Sequence, residues 1–401
     1  MALTVTIHRQ DHLGNKRLHI VGLTFDSSYP TGGESLTARN CGLSTIDHIQ
    51  LEPASGLSFE YDHTNSKVKV YQKIPPIIFE ELVTVTDNVG TLRYPGAFIM
   101  SVSYGNTHYH PIPGGLVPAT GQVAISNYTS TFTPGPTTLT FLAGDSVTAC
   151  IVTYATQAWR ELVDNYVFCQ ITAGARVYGH ADAVFVAGTP DRINLGEVAL
   201  AIGSILWNDA GVYKEVDPII KGATAATKEA AIDWTHASYT NFTVLEMLQT
   251  DTWDAATDTA YVVYIRKPST GFLADRWLEE DDLTPSSDVV TLSPGGAPGI
   301  LQPILWGTAG GIPGPTLKFA NLISSSEAVG TTATLIQPTL FFPGGITAAT
   351  FTLGSNHADT DHLKPTYVWG FPWEIATVPC EICNGQNLSA LSDVRAMVIG
   401  S

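Results

Sequence analysis

The feature that most restricts this chain is how often it is interrupted. Runs such as LTVTIHR, KVKVYQK, FIMSVSY, ACIVTYA, AYVVYIRK and VRAMVIG combine β-branched and aromatic residues. Gly/Pro clusters separate them: YPTGG, PIPGG, TPGP, SPGGAPG, GGIPGP and FPGG. Short runs of this kind read as strands, and the clusters read as turns. Helical periodicity is confined to three brief pieces, QAWRELVDNY, GATAATKEAAID and LSALSDV, the last with Asn387 or Ser389 available as an N-cap. The pattern predicts an all-β protein of several small antiparallel β-sandwich or barrel domains, within the two to four that 401 residues suggest.

Composition narrows the function classes. Only 14% of residues are charged, against a usual ~25%, so much of the surface is uncharged, as suits a protein buried against partners. A net charge of −17 repels phosphate backbones and argues against a nucleic-acid partner. The acidic run Glu279, Glu280, Asp281, Asp282 reads as a solvated loop, since a cation site needs converging ligands. The longest apolar stretch, VALAIGSILW, is half the ~20 residues of a membrane helix, so no membrane partner is expected. The opening MALTVTIHRQDHLGNKR carries charge where a signal peptide needs an apolar stretch, and the five cysteines are odd in number and irregularly spaced. Synthesis in a cytoplasm with reduced thiols follows as the expectation.

The chain also repeats itself. From Gly96 it reads GAFIMSVSYGNTHYHPIPGGLVPATGQVAIS, followed later by GDSVTACIVTYATQ. From Ala199 it reads ALAIGSILWNDAGVYKEVDPIIKGATAATKEAAID, followed by TDTAYVVYIRKP. Both run from an apolar strand through an aromatic and polar turn to a short strand near a Pro. An Ala-Thr turn, another strand and a closing strand of Val, Ile and Tyr follow. These are read as divergent copies of one β module. A third stretch, from Ile300 to Trp369, opens similarly with ILWGTAGG but matches less well.

The N-terminal block TFDSSYPTGGESLTARNCGLSTIDHIQLEPASGLSFEYDHTNSKVKVY resembles the opening of a family of tailed-phage virion proteins, with its YPTGGE turn, GLS-ID strand, PASG turn and FEYD-N-K-K-Y hairpin. Short members close with a segment like CNGQNLSALSDVRAMVIG, soon after the hairpin. Here roughly 300 residues intervene, an insertion that costs little because loop-closure entropy grows logarithmically. The resemblance thus implies a discontinuous core domain of residues 1–75 plus 376–401. The insert divides into residues 76–190 (repeat 1), 191–295 (repeat 2) and a Gly/Pro-rich β region, 296–375. Physical reasons stand beside the resemblance: Pro30 fixes φ while Gly32 and Gly33 permit positive φ, and alternation puts Val68 and Val70 on the face opposite Lys67, Lys69 and Tyr71.

Candidate chemistry is sparse. In HADTDH, alternation lets His357, Asp359 and Asp361 share a face, with His362 beside them, but a polar loop explains the spacing equally well. Cys380 and Cys383 form a CxxC without a second ligand pair, and the resemblance places both in a core-closing strand. His108 and His110 share a side in THYHPIPGG around Tyr109, and a surface loop is the simpler reading. No nucleophile elbow, phosphate loop or H-E-x-x-H motif occurs. No cofactor, metal or catalytic residue is expected.

The resemblance implies a virion structural protein acting by binding: a capsid decoration or cement protein bridging major capsid protein subunits on the capsid surface. A homo-oligomer, trimer or dimer, is expected with it. A tail, baseplate or host-recognition protein is the alternative, and a polysaccharide-degrading tail enzyme with paired carboxylates the second. Aromatics in Gly/Pro-rich loops, Trp306, Phe341, Phe342 and Trp373, are the candidate interface residues, with ordinary core packing as their competing explanation.

Overall fold

The computed structural model describes residues 3–247 apart from 106, 131–134, 188–190, 210 and 221–228. It also describes residues 257–271 and 378–401 apart from 383–384, and between these Ala274 and a set of strands. The protein is all-β, built of several mainly antiparallel sheets. Among the described residues no helix is long and apolar enough to cross a membrane.

The first six strands are β1 (Thr4–Leu13), β2 (Lys16–Thr24), β3 (Glu34–Ser35), β4 (Ile46–Leu51), β5 (Leu57–Asp62) and β6 (Lys67–Ile74); the last two are β34 (Val378–Glu381) and β35 (Val394–Gly400). β35 lies between β2 and β4, and β34 pairs with β6. In β35, Val394, Ala396 and Val398 alternate inward, as period two requires, and meet Val21, Leu23, Val68 and Val70 in one core. The YPTGG turn is locked to the C-terminal segment. Tyr29 donates its hydroxyl to Glu381 at 2.7 Å and accepts the Val70 N–H at 3.1 Å. Its backbone N–H reaches the Gln386 carbonyl, and its carbonyl accepts from Gly385. Gly33 sits at φ 97°, and a Cβ there would stand 2.6 Å from the Val68 carbonyl oxygen, so only Gly fits.

Repeat 1 comprises β7 (Ile77–Thr86), β8 (Val89–Thr91), β9 (Gly96–Tyr104), β10 (Thr107–His108), β11 (His110–Pro113), β12 (Gln122–Ile125), β13 (Thr138–Phe141) and β14 (Ala149–Thr156). They form one eight-stranded sheet in the order β10-β9-β14-β7-β8-β13-β12-β11. Its two edge strands, β10 and β11, are joined by the single residue Tyr109, so the sheet curls around its core. At that corner Tyr109 is buried edge-on against Phe141, ring centroids 5.1 Å apart. The chain there leaves an antiparallel pairing with β9 and enters a parallel pairing with β12.

Helix α1 (Arg160–Asp164) leads into β15 (Tyr166–Thr172), β16 (Ala175–Tyr178), β17 (Val184–Val186), β18 (Arg192–Asn194), β19 (Ala199–Asp209), β20 (Val212–Glu215), β21 (Asp217–Ile220), β22 (Glu229–His236), β23 (Phe242–Met247) and β24 (Thr259–Arg266). Two five-stranded sheets, β16-β15-β24-β19-β20 and β17-β18-β23-β22-β21, sandwich a common core. Because β15 pairs with β24, the break between repeats falls at α1 rather than at residue 190.

The pairing scheme of repeat 2 is that of repeat 1. In each, the closing strand lies between the repeat's first two long strands (β14 between β7 and β9, β24 between β15 and β19). The one-residue corner recurs at Val216, whose N–H reaches the Ile205 carbonyl as that of Tyr109 reaches Val102. The parallel pairs keep the same offset, His110 to Gln122 and Asp217 to Glu229. Buried Thr137 accepts the Gly96 N–H at 2.8 Å, and buried Thr243 accepts that of Ala199 at 2.9 Å.

The backbone repeats the scheme once more in β25 (Trp277–Glu279), β26 (Val289–Thr291), β27 (Gly299–Ile300), β28 (Ile304–Gly307), β29 (Lys318–Ile323), β30 (Thr332–Ile336), β31 (Thr350–Leu353), β32 (His362–Lys364) and β33 (Thr366–Val368). β29 pairs antiparallel with β28 through its first half and parallel with β30 through its second. β26-β31-β30 then continues the order of β18-β23-β22.

Two helical expectations need correction. Of GATAATKEAAID, residues 222–228 lie outside the described residues, and Glu229 onward forms β22, where Ile232 pairs with Leu245 and both enter the sandwich core. LSALSDV forms turns: Asn387 Oδ1 accepts the Ser389 N–H, and burial of Leu388 and Leu391 against the terminal core overrides a weak helical preference. Of QAWRELVDNY, Arg160–Asp164 is helical.

Replacing Tyr29 by Phe leaves the buried Val70 N–H unpaired and should lower stability by about 1–3 kcal/mol in urea unfolding. Thr137→Val and Thr243→Val, each orphaning an equivalent buried N–H, should cost similar amounts, about 1–3 kcal/mol. A large cost for one and none for the other would refute their equivalence.

Candidate interaction surface

The residues singled out from the sequence separate in space. His108 pairs with Ser103 in β10, whereas His110 pairs with Gln122 in β11, beyond the Tyr109 corner. The two histidines therefore belong to different strands rather than to one. Cys380 lies half-buried in β34 and packs against the repeat 1 core, and Cys383 is outside the described residues. Of HADTDH, His362 opens β32, while His357, Asp359 and Asp361 are outside the described residues. Trp306 lies in β28, and Phe341, Phe342 and Trp373 are outside the described residues. Glu279 ends β25, and Glu280, Asp281 and Asp282 are outside them. Among the described residues, no three His, Cys, Asp or Glu side chains converge as metal ligands would.

The described thiols are suited to packing. Cys41, Cys150 and Cys169 are buried, and desolvation pushes them up to about 11, about 12 and about 12 respectively. Cys380 is raised for the same reason. Such thiols stay protonated and unreactive near neutrality.

An open recess of about 490 Å³ lies at one end of repeat 2, lined by His180, Glu197, Phe242, Lys267 and Pro268 among others. Glu197 is fixed by the buried Tyr264 hydroxyl, which donates to it at 2.8 Å. The matching end of repeat 1 meets the terminal body instead, where Gln157 donates to the Glu381 carbonyl. The equivalence is visible in the backbone: Lys267 N–H reaches Val198 as Gln157 N–H reaches Pro95. Among the described residues the recess lining holds one carboxylate, Glu197. It offers a ring face and polar groups suited to holding a ligand.

The broader surface is the outer side of the sheets. In repeat 2 the outer face of β15-β24-β19 is covered by repeat 1: Leu206 is fully buried against Ile112 and Ala124, with Leu116 and Tyr261 at the margin. Farther along, Ile265, Leu200 and Ala201 pack with Phe98, Ile77 and Leu162 of α1. In repeat 1 the corresponding outer face exposes Leu82 by 72% and Ile151 by 41%. The sequence missed this pair because alternation alone does not tell a covered outer face from an open one.

No family model, no curated protein and no solved structure matches this chain.

Alkylation followed by mass mapping should leave Cys41, Cys150 and Cys169 unmodified until the protein is unfolded. Since their folded pKa values are raised, the stability they contribute is full below the ordinary thiol range near ~8.5 and is lost as pH rises toward 11–12. Replacing all three by Ala should therefore flatten the alkaline limb of the stability–pH curve.

Proposed function

We propose that the protein is a tailed-phage virion structural protein, a capsid decoration or cement protein that bridges major capsid protein subunits from the capsid surface. One observation carries the reading. The two segments that resemble the virion family stand at opposite ends of the chain, yet they interlock through Tyr29, Glu381, Gln386 and β35. The family-like unit is thus a single folded body despite its long insertion. The low charge density and the exposed apolar pair Leu82 and Ile151 on repeat 1 fit a protein that works by covering and being covered. Bridging needs no chemical step: modest contacts per copy, multiplied over a symmetric lattice, raise capsid strength through avidity. Self-association as a trimer or dimer would match local lattice symmetry.

A second reading, host-surface recognition by a tail-associated protein, draws on the recess beside Phe242. The test is addition of purified protein to expanded capsids that lack it. The cement reading expects saturable binding in a whole multiple of lattice sites together with a raised thermal rupture temperature. Absence of binding overturns it, and binding to host cells would then favour the second reading.

A further inference from the structure

The repeated architecture marks one surface as incomplete. The cross-strand triple Leu206–Tyr261–Gln170 of repeat 2 corresponds in pairing to Ser103–Ile151–Leu82 of repeat 1. In repeat 2 this place is roofed by the parallel pair β11–β12 of the preceding repeat, with Ile112 and Ala124 against Leu206. In repeat 1 it is open. Leu82 and Ile151 sit directly opposite one another, Thr84 lies opposite Ala149, and Thr86 lies opposite Val89, itself 39% exposed. Alternation places these six side chains on one outer face, and none carries charge.

We infer that the Leu82–Ile151 face of repeat 1 is the docking site for a second copy of this chain, which roofs it as β11–β12 roofs repeat 2. The fold supplies the precedent: within one chain, this sheet already accepts a parallel two-stranded layer of the same family of repeats. A second copy carries such a layer in β29–β30, which pair in parallel as β11–β12 do. The charge supports an uncharged contact, because two chains of −17 repel at every acidic surface they present to each other. The contact joins different surfaces on the two copies, so it is heterologous and builds a closed ring where its rotation closes and an open chain of copies where it does not. The inference rests on the self-association included in the proposed function but not on capsid binding.

The experiment is sedimentation velocity on the full chain without capsids, over a hundredfold range of concentration and at low and high salt. Wild type should self-associate, and more tightly at high salt, where repulsion is screened. Leu82→Lys with Ile151→Lys should weaken association about tenfold or more. Leu13→Lys, at an equally exposed apolar position on the β1–β2 hairpin, should leave it unchanged. Should the double lysine variant melt early, Leu82→Ser with Ile151→Thr replaces it with the same expectation. A wild type that stays monomeric throughout overturns the inference. So does a face variant that associates as wild type does, or a Leu13 variant that loses association equally. Capsid binding, measured separately, fails or succeeds without deciding this outcome.

Discussion

The architecture depends on β35 lying between β2 and β4. A strand in that position has both backbone edges hydrogen-bonded, so the last residues of the chain cannot be removed without opening the sheet that the first residues build. The inward row Val394, Ala396 and Val398 completes a core whose other half comes from β2 and β6. Everything between β6 and β34 is therefore anchored at both ends to one body. Contacts tie the near end of the insert to that body: Ile74 and Cys380 reach into the core of repeat 1, and Gln157 reaches back to Glu381.

Within the insert the recurring device is the one-residue corner. At Tyr109 the chain leaves an antiparallel pairing at one edge of the curled sheet for a parallel pairing at its other edge, and at Val216 it makes the same change from one sheet to the other. A strand that switches sheets ties the two faces of a small core together with backbone hydrogen bonds, which side-chain packing alone would do less rigidly. The buried threonines do the same at the opposite end, where Thr137 and Thr243 satisfy the first N–H of the central strand. Neither residue type stands out in the sequence. Its importance comes from the backbone group it satisfies.

The copies differ at their margins, and function is to be sought there. The same end of the module is plugged by the terminal body in repeat 1 and left as a recess in repeat 2. The same part of the outer face is roofed around Leu206 in repeat 2 and bare around Leu82 and Ile151 in repeat 1. Identical local structure with unequal covering is the physical basis for assigning interaction surfaces in a chain whose described residues bring together no three metal-ligating side chains.

Short-range chemistry was legible from the residues alone. Alternation of Val68 and Val70, positive φ at Gly32 and Gly33, and the strand-turn punctuation all follow from local sterics and period-two geometry. So did the likeness between Gly96 onward and Ala199 onward, since each copy must bury the same faces. What the residues could not decide were matters of long-range pairing. That His108 and His110 belong to different strands, that 229–236 joins a sheet, and that Leu82 and Ile151 face outward uncovered depend on which strand arrives alongside. A local segment carries its own periodicity but not the identity of its neighbours, and in a β protein those neighbours supply the hydrogen bonds and the covering layer.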